Sequence, residues 1–228
     1  MKIKNHLPNF ITLINVFAGC VSIVFAFQQD WKSMVISVVV ALLADFLDGF
    51  VARALKVSSS LGKELDSLAD AVTFGVLPGM VVFQLLSNYS YTGSLGLYLP
   101  YAGFVFPVLA VLRLAKFNID TSQTYYFKGI PTPAATAFVI ALPFVQEELN
   151  LHYGVLLGLV VIVSLLMVSN FKMIALKFKD YTLGNNIEKV LLVVGGLSLL
   201  FAFGWASFFY IILFYIVLSF LFFSIKKD

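Results

Sequence analysis

Four aspartates, Asp45, Asp48, Asp66 and Asp70, stand close together in the stretch ADFLDGFVARALKVSSSLGKELDSLAD (44–70). The first two are three residues apart and the last two four apart, spacings that put each pair on one face of a helix. Their flanks are apolar enough to lie in lipid. A carboxylate there costs several kcal/mol unless paired or solvated, so it marks a functional site by default. Gathered carboxylates repel one another, and Arg53 is the one arginine close by in sequence, so the group calls for cations. Hard oxygen ligands suit Mg²⁺ or Mn²⁺. Two such ions bridged by carboxylates form the clamp used in phosphoryl and phosphodiester displacement. Gly49 and Ala52, beside Asp45, leave one side of their helix bare for a phosphate-bearing ligand, and Gly62 does the same at the start of the next.

The elements that must carry these residues are membrane helices. The 228 residues are 61% hydrophobic and 12% charged, with 24 phenylalanines, a composition that excludes an ordinary soluble domain. The apolar runs FITLINVFAGCVSIVFAF and GVLLGLVVIVSLLMVS approach the ~20 residues needed to cross a bilayer. The first run continues past Cys20 to about Phe27, which argues against a cleaved leader. Hydropathy predicts an all-α, polytopic integral membrane bundle of eight helices near residues 10–27, 33–56, 65–87, 95–117, 132–147, 153–170, 188–203 and 206–225. The whole chain, 1–228, reads as a single membrane-embedded domain.

Eight spans with both termini in the cytoplasm put fourteen of the fifteen Lys and Arg residues on one face and leave Lys32 alone on the other. The connection LKVSSSLGKE is short, so the second and third helices are expected to be antiparallel neighbours. At ~1.5 Å per residue, Asp48 lies about 12 Å from the cytoplasmic end of its helix, and Asp66 and Asp70 return to a similar depth. All four carboxylates then share one pocket open to the cytoplasm. A basic cytoplasmic face attracts anionic headgroups and phosphates; nothing in the pattern suggests nucleic-acid binding. Cys20 is the single cysteine, which excludes an intramolecular disulfide and a cysteine metal cluster, and it reads as a small buried core residue. Glu147, Glu148 and His152 read as solvated loop residues on the far side.

Written out, Asp45 to Asp70 is D-x2-D-G-x2-A-R-x8-G-x3-D-x3-D. This resembles the signature of the CDP-alcohol phosphatidyltransferases, with every fixed position present. The resemblance implies that an alcohol displaces CMP at the phosphate next to the lipid. It implies that Asp45, Asp48, Asp66 and Asp70 hold divalent cations, Mg²⁺ or Mn²⁺, two per site, and that Asp70 is the general base. Gly49, Ala52, Arg53 and Gly62 match positions lining the cytidine and pyrophosphate pocket, with Asp45 and Asp66 at its edge. Asn9 and Thr12, in LPNFITLINVFAG, match a Pro-Asn-x-x-Thr pattern that helps hold the nucleotide lipid. No cysteine or histidine nucleophile lies near, which favours direct attack.

The later segments FGVLPG, RLAKFN, FKGIPTPAA and LMVSNFK resemble, in order, those of the small polytopic phosphatidylserine synthases in that family, so the implied substrates are CDP-diacylglycerol and L-serine. Arg113 is the candidate contact for the serine carboxylate or a phosphate, with Lys116, Asn118, Lys128 and Thr132 around it. Glycerol-phosphate or inositol-phosphate acceptors should demand a denser arginine cluster than Arg53 and Arg113 provide. A cation-coupled transporter would instead spread carboxylates at mid-membrane over repeat-related spans. The resemblance further implies a homodimer in a prokaryotic inner or plasma membrane, with Gly195, Gly196 and Ser198 as candidate packing residues.

Overall fold

The computed structural model describes residues 6–57, 59–91, 93–120, 126–175 and 186–225. Lys2, Lys4, Lys177, Lys179, Lys226 and Lys227, counted above in the charge asymmetry, lie outside the described residues. The chain is a helical membrane bundle. Five helical stretches are long and apolar enough to cross a bilayer: Leu7–Phe27, Trp31–Leu55, Ser60–Ser87, Gly96–Ile119 and Ile187–Ser224. Tyr153–Val168 is a shorter apolar helix, and Thr132–Leu149 lies at the fifth expected position. The chain divides into two compact units, Met1–Leu114 and Ala115–Asp228.

The first unit begins with α1 (Leu7–Phe27), which carries proline in its first turn, where the missing N–H costs nothing. The chain reverses through Gln29, in the left-handed region at φ 59°. Asp30 then caps α2 (Trp31–Leu55), its carboxylate accepting from the Ser33 backbone N–H at 3.2 Å. Lys56, at φ 52°, ends α2 in a left-handed turn. Ser59 caps α3 (Ser60–Ala71) by accepting from the Gly62 N–H at 2.9 Å. The helix then widens into a π-helical turn, Val72–Val76, and continues as α4 (Leu77–Ser87). A 3₁₀ helix, Ser94–Phe104, leads into α5 (Val105–Ile119).

Helix α1 is the common partner in this unit, packing against α2, α3, the π turn and α4. Its buried face runs through Pro8, Thr12, Asn15, Gly19, Ser22 and Ala26. Gly19 meets Thr73 of the π turn so closely that an added Cβ would collide with the threonine hydroxyl and stand 3.2 Å from its Cα. Cys20, expected in the core, is exposed instead: one residue on from Gly19, it turns about 100° away from the packed face. Phe10, Phe17 and Val24 are exposed with it, an apolar face suited to lipid.

The second unit contains α6 (Thr132–Leu149), α7 (Tyr153–Val168), α8 (Ile187–Phe203) and α9 (Ser207–Ile225). It also holds a feature absent from the sequence expectation, the antiparallel strand pair β1 (Tyr126–Lys128) and β2 (Lys172–Ile174), with Phe127 opposite Met173. Gly129 follows β1 at φ 71°, and its N–H donates to the Phe171 carbonyl at 2.8 Å. The stretch Ile187–Ser224 would reach about 57 Å if straight, nearly twice a hydrocarbon core. It is folded: α8 ends at Gly204, φ 52°, and α9 returns along it through a short 3₁₀ turn, Gly204–Ala206. Phe203 and Tyr210 lie 4.2 Å apart across this bend. Gly195 faces Phe214, whose ring stands 2.6 Å from where a Cβ would be. The glycine proposed above for a subunit contact is therefore packed within its own chain. Glu147 and Glu148 are exposed at the end of α6, and His152 caps α7 through Nδ1, which accepts from the Gly154 N–H.

Candidate active site

Two helices deliver the carboxylates and a third fixes them. Asp45 and Asp48 project from the second half of α2, Asp66 and Asp70 from α3. Asp45, Asp48 and Asp66 each offer an oxygen, and these atoms lie within 4.8 Å of one another. Asp70, one turn along α3 from Asp66 and on the same face, is not among the three whose oxygens meet. From α1, the Thr12 hydroxyl donates to Asp48 Oδ2 at 2.6 Å; both residues are buried. The short α2–α3 connection was expected to make these helices antiparallel neighbours; in the structure they scarcely touch each other, and α1, packed against both, is what joins them.

Three carboxylates facing each other at this range need positive charge between them. The donor set fits a hard divalent ion: every candidate ligand atom is a carboxylate oxygen, and the three converge closely enough for one cation to be held between them.

Beside the trio is a cavity of about 560 Å³ lined by Pro8, Asn9, Thr12, Asp48, Gly49, Ala52, Lys56, Val57, Ser59, Gly62, Lys63 and Asp66. Of the residues expected to hold a nucleotide lipid, Asn9, Thr12, Gly49, Ala52, Gly62 and Asp66 meet here. Asp45 and Arg53 are not in the lining; the Arg53 guanidinium lies over Gly49, Nη1 standing 3.3 Å from where a Cβ would be. Any side chain at Gly62 would press on Asn9 Oδ1 and Ser59 Oγ, each 3.0 Å from its Cβ. Sequence reasoning missed Lys56, Ser59 and Lys63 as wall residues. Ser59 announces itself as a helix cap ahead of the Gly62–Asp66 turn, and the two lysines look like ordinary span-end charges.

The residues expected around the acceptor alcohol divide between the units. Arg113, on α5 in the first unit, is buried. Within the second unit, the Lys116 ammonium donates to the Val168 carbonyl at 3.4 Å and Lys128 pairs with Asp120 at 2.9 Å. Asn118 lies near the end of α5, and Thr132 is buried as the first residue of α6, its carbonyl accepting from the Thr136 hydroxyl at 3.0 Å.

The description "CDP-alcohol phosphatidyltransferase" belongs to a family model that matches residues 5–169, most of the chain and all of the carboxylate site. The chain belongs to the CDP-alcohol phosphatidyltransferase family. This phosphatidyltransferase is 34% identical over 200 residues to the CDP-diacylglycerol–serine O-phosphatidyltransferase of Helicobacter pylori J99, covering 85% of this chain and 81% of that one. It is 36% identical over 173 residues to the Bacillus subtilis protein of the same name, covering 74% and 89%. The Mycobacterium leprae protein of that name is 38% identical over 155 residues, 65% of this chain and 48% of its own. The family match takes in α1 through α7 of the phosphatidyltransferase and leaves the α8–α9 hairpin outside.

Proposed function

We propose that this phosphatidyltransferase moves the phosphatidyl group of CDP-diacylglycerol to the hydroxyl of L-serine, giving phosphatidylserine and CMP. The observation that carries the reaction is the Asp45–Asp48–Asp66 trio beside a cavity walled by Gly49, Ala52 and Gly62. The acceptor is supported by the shared printed name of the relatives. In this reading the cavity takes the CDP moiety. Asn9 offers an amide to it, and Lys56 and Lys63 add positive charge against the pyrophosphate. Asp45, Asp48, Asp66 and Asp70 would hold two divalent cations, Mg²⁺ or Mn²⁺, whose charge lowers the cost of the departing CMP oxyanion. The serine Oγ attacks the lipid-side phosphorus as the P–O bond to CMP breaks, and the hydroxyl proton passes to the Asp70 carboxylate. Arg113 is our candidate for the serine carboxylate.

The charge asymmetry supports a cytoplasm-facing site, and the resemblance a prokaryotic inner or plasma membrane. The family match crosses the boundary between the two units, which supports reading residues 5–169 as one catalytic domain to which we add the C-terminal spans, and the resemblance supports a homodimer. The test is CMP release by purified protein given CDP-diacylglycerol, Mn²⁺ and, separately, L-serine, glycerol 3-phosphate and inositol phosphate. Release with serine, lost on chelation and in Asp48→Asn, is the expected result. Release with another acceptor and none with serine would overturn the acceptor, and undiminished release after chelation would overturn the cation.

A further inference from the structure

The carboxylate trio is drawn from two helices that scarcely touch each other, since α2 and α3 both pack on α1 instead. Asp66 meets Asp45 and Asp48 only if α3 is turned to face them, so a contact with α1 must set that turn. A helix that slips by one residue moves about 1.5 Å along its axis and rotates about 100°. Such a slip carries the Asp66 oxygen away from its two neighbours.

On the α2 side the hold is the Thr12 bond to Asp48. On the other side it is Asn15, three residues on from Thr12 and on the same face of α1. The Thr73 hydroxyl donates to Asn15 Oδ1 at 2.8 Å and lies 3.3 Å from the Asn15 backbone carbonyl; both residues are fully buried. Asn15 Nδ2 has no hydrogen-bond partner among the described residues. An unmade buried donor is a cost that an apolar side chain would not carry, so what the asparagine contributes is the oxygen that Thr73 grips. Thr73 lies in the π turn, Val72–Val76, seven residues on from Asp66, a separation that returns to one helix face. A π turn takes in one residue more than an α-helical turn and is frequent at functional sites. It therefore sets the rotational phase of α3 before it against α4 beyond it. Gly19, one turn along from Asn15, leaves the space on α1 that Thr73 occupies.

We infer that Asn15 and Thr73 are positioning residues for the Asp45–Asp48–Asp66 trio: their hydrogen bond pins the π turn to α1 and so turns α3 until Asp66 faces the two aspartates of α2. This rests on the reading of the trio as the cation site. A single turn of α1 then serves as the template, holding α2 by Asp48 and α3 by Thr73. Thr73→Val keeps the branched shape beside Gly19 and removes the proton that Asn15 accepts, whereas Thr73→Ser keeps that proton.

The experiment compares Thr73→Val, Thr73→Ser, Asn15→Ala and, as a control, Gln84→Met in purified, detergent-solubilised protein. Gln84, in α4, also ties its helix to α1, its amide donating to the Phe27 carbonyl at 3.3 Å, but at the end of α1 away from the trio. Electron paramagnetic resonance titration gives Mn²⁺ affinity without substrate. CMP release gives the Mn²⁺ concentration for half-maximal rate and kcat at saturating Mn²⁺. Partners that orient metal-ligating side chains are worth about 10–100-fold in affinity, and Thr73→Val should lose about that much. Asn15→Ala should lose less, because the backbone carbonyl of residue 15 stays within reach of the hydroxyl. The half-maximal Mn²⁺ concentration should rise in step, with kcat at saturation less affected, since excess cation refills a weakened site by mass action. Thr73→Ser should restore the affinity, and Gln84→Met should keep it even if it melts earlier. Parental affinity in Thr73→Val or in Asn15→Ala overturns the inference. So does failure of Thr73→Ser to recover, and so does an equal loss in Gln84→Met, which marks general loosening of the bundle. A parent protein that binds no Mn²⁺ sinks the cation reading itself, whereas a parent that binds it no more tightly than Thr73→Val does sinks the positioning role alone.

Discussion

Replacing Thr12 by valine tests whether α1 tunes the carboxylate trio. Valine keeps the shape of threonine and its fit among buried neighbours but cannot donate to Asp48 Oδ2, at present 2.6 Å away. Thr12 is 3% exposed and Asp48 6%, so water does not readily replace the lost partner. A hydrogen bond to an ionised carboxylate contributes about 1.5–3 kcal/mol. The Pro8 carbonyl, 3.1 Å from the same hydroxyl, competes for its single proton, which points to the lower half of that range. At about 1.4 kcal/mol per decade, the loss corresponds to a weakening of Mn²⁺ affinity of about 10- to 40-fold. It should be read directly by paramagnetic resonance titration, and again as the Mn²⁺ concentration giving half-maximal CMP release. Thr12→Ser, which keeps the hydroxyl, should recover most of the affinity. Thr12→Val within about twofold of the parent would refute the reasoning, because a bond of this strength and burial cannot vanish so cheaply.

Two further outcomes follow from the same geometry. Gly62→Ala places a methyl 3.0 Å from both Asn9 Oδ1 and Ser59 Oγ, so steady-state kinetics should show a raised KM for CDP-diacylglycerol, with kcat less affected. The Ser33 hydroxyl and backbone N–H hold the Asp30 carboxyl below its ordinary value of 3.8. A carboxylate with a lowered folded pKa stabilises the fold above the unfolded value and ceases to do so as pH falls through the folded one. Asp30→Ala should therefore melt earlier than the parent at neutral pH, and the gap should close below pH 3.8.

Much of this arrangement is written in local patterns. The helical segments fall where apolar runs and turn residues put them, and the i, i+3 and i, i+4 spacings place each aspartate pair on a shared face. Asn9, Thr12, Gly49, Ala52 and Gly62, all picked out from the sequence, meet in one cavity, although it is the packing of α1 against α2 and α3 that brings them together. What was hidden depends on contacts between segments far apart in sequence. The π turn exists where Gly19 admits Thr73, a close approach between residues 54 positions apart that no window on either segment reveals. Asn15 looks like an ordinary polar residue in a span until Thr73 is seen to hold it. Cys20 was misjudged because the packed face of α1 is its small and polar one, with Thr12, Asn15, Gly19 and Ser22, so apolar character did not mark the buried side. The β1–β2 pair escaped notice because each strand is three residues long.

The reliance of α3 on α1 has a consequence for how the protein is made. Synthesis delivers α1 and α2 first, and then a segment carrying Lys63, Glu64, Asp66 and Asp70 within its opening turns. A charge near the middle of a lone helix costs about 2.5–3.5 kcal/mol during insertion. The machinery that releases nascent helices into the bilayer would therefore hold α3 back until the hairpin already there offers it a polar berth. Thr12 and Asn15 stand on that waiting surface. Biogenesis of the third span and construction of the site then become a single event, and faults in α1 would surface as chains that never finish entering the membrane.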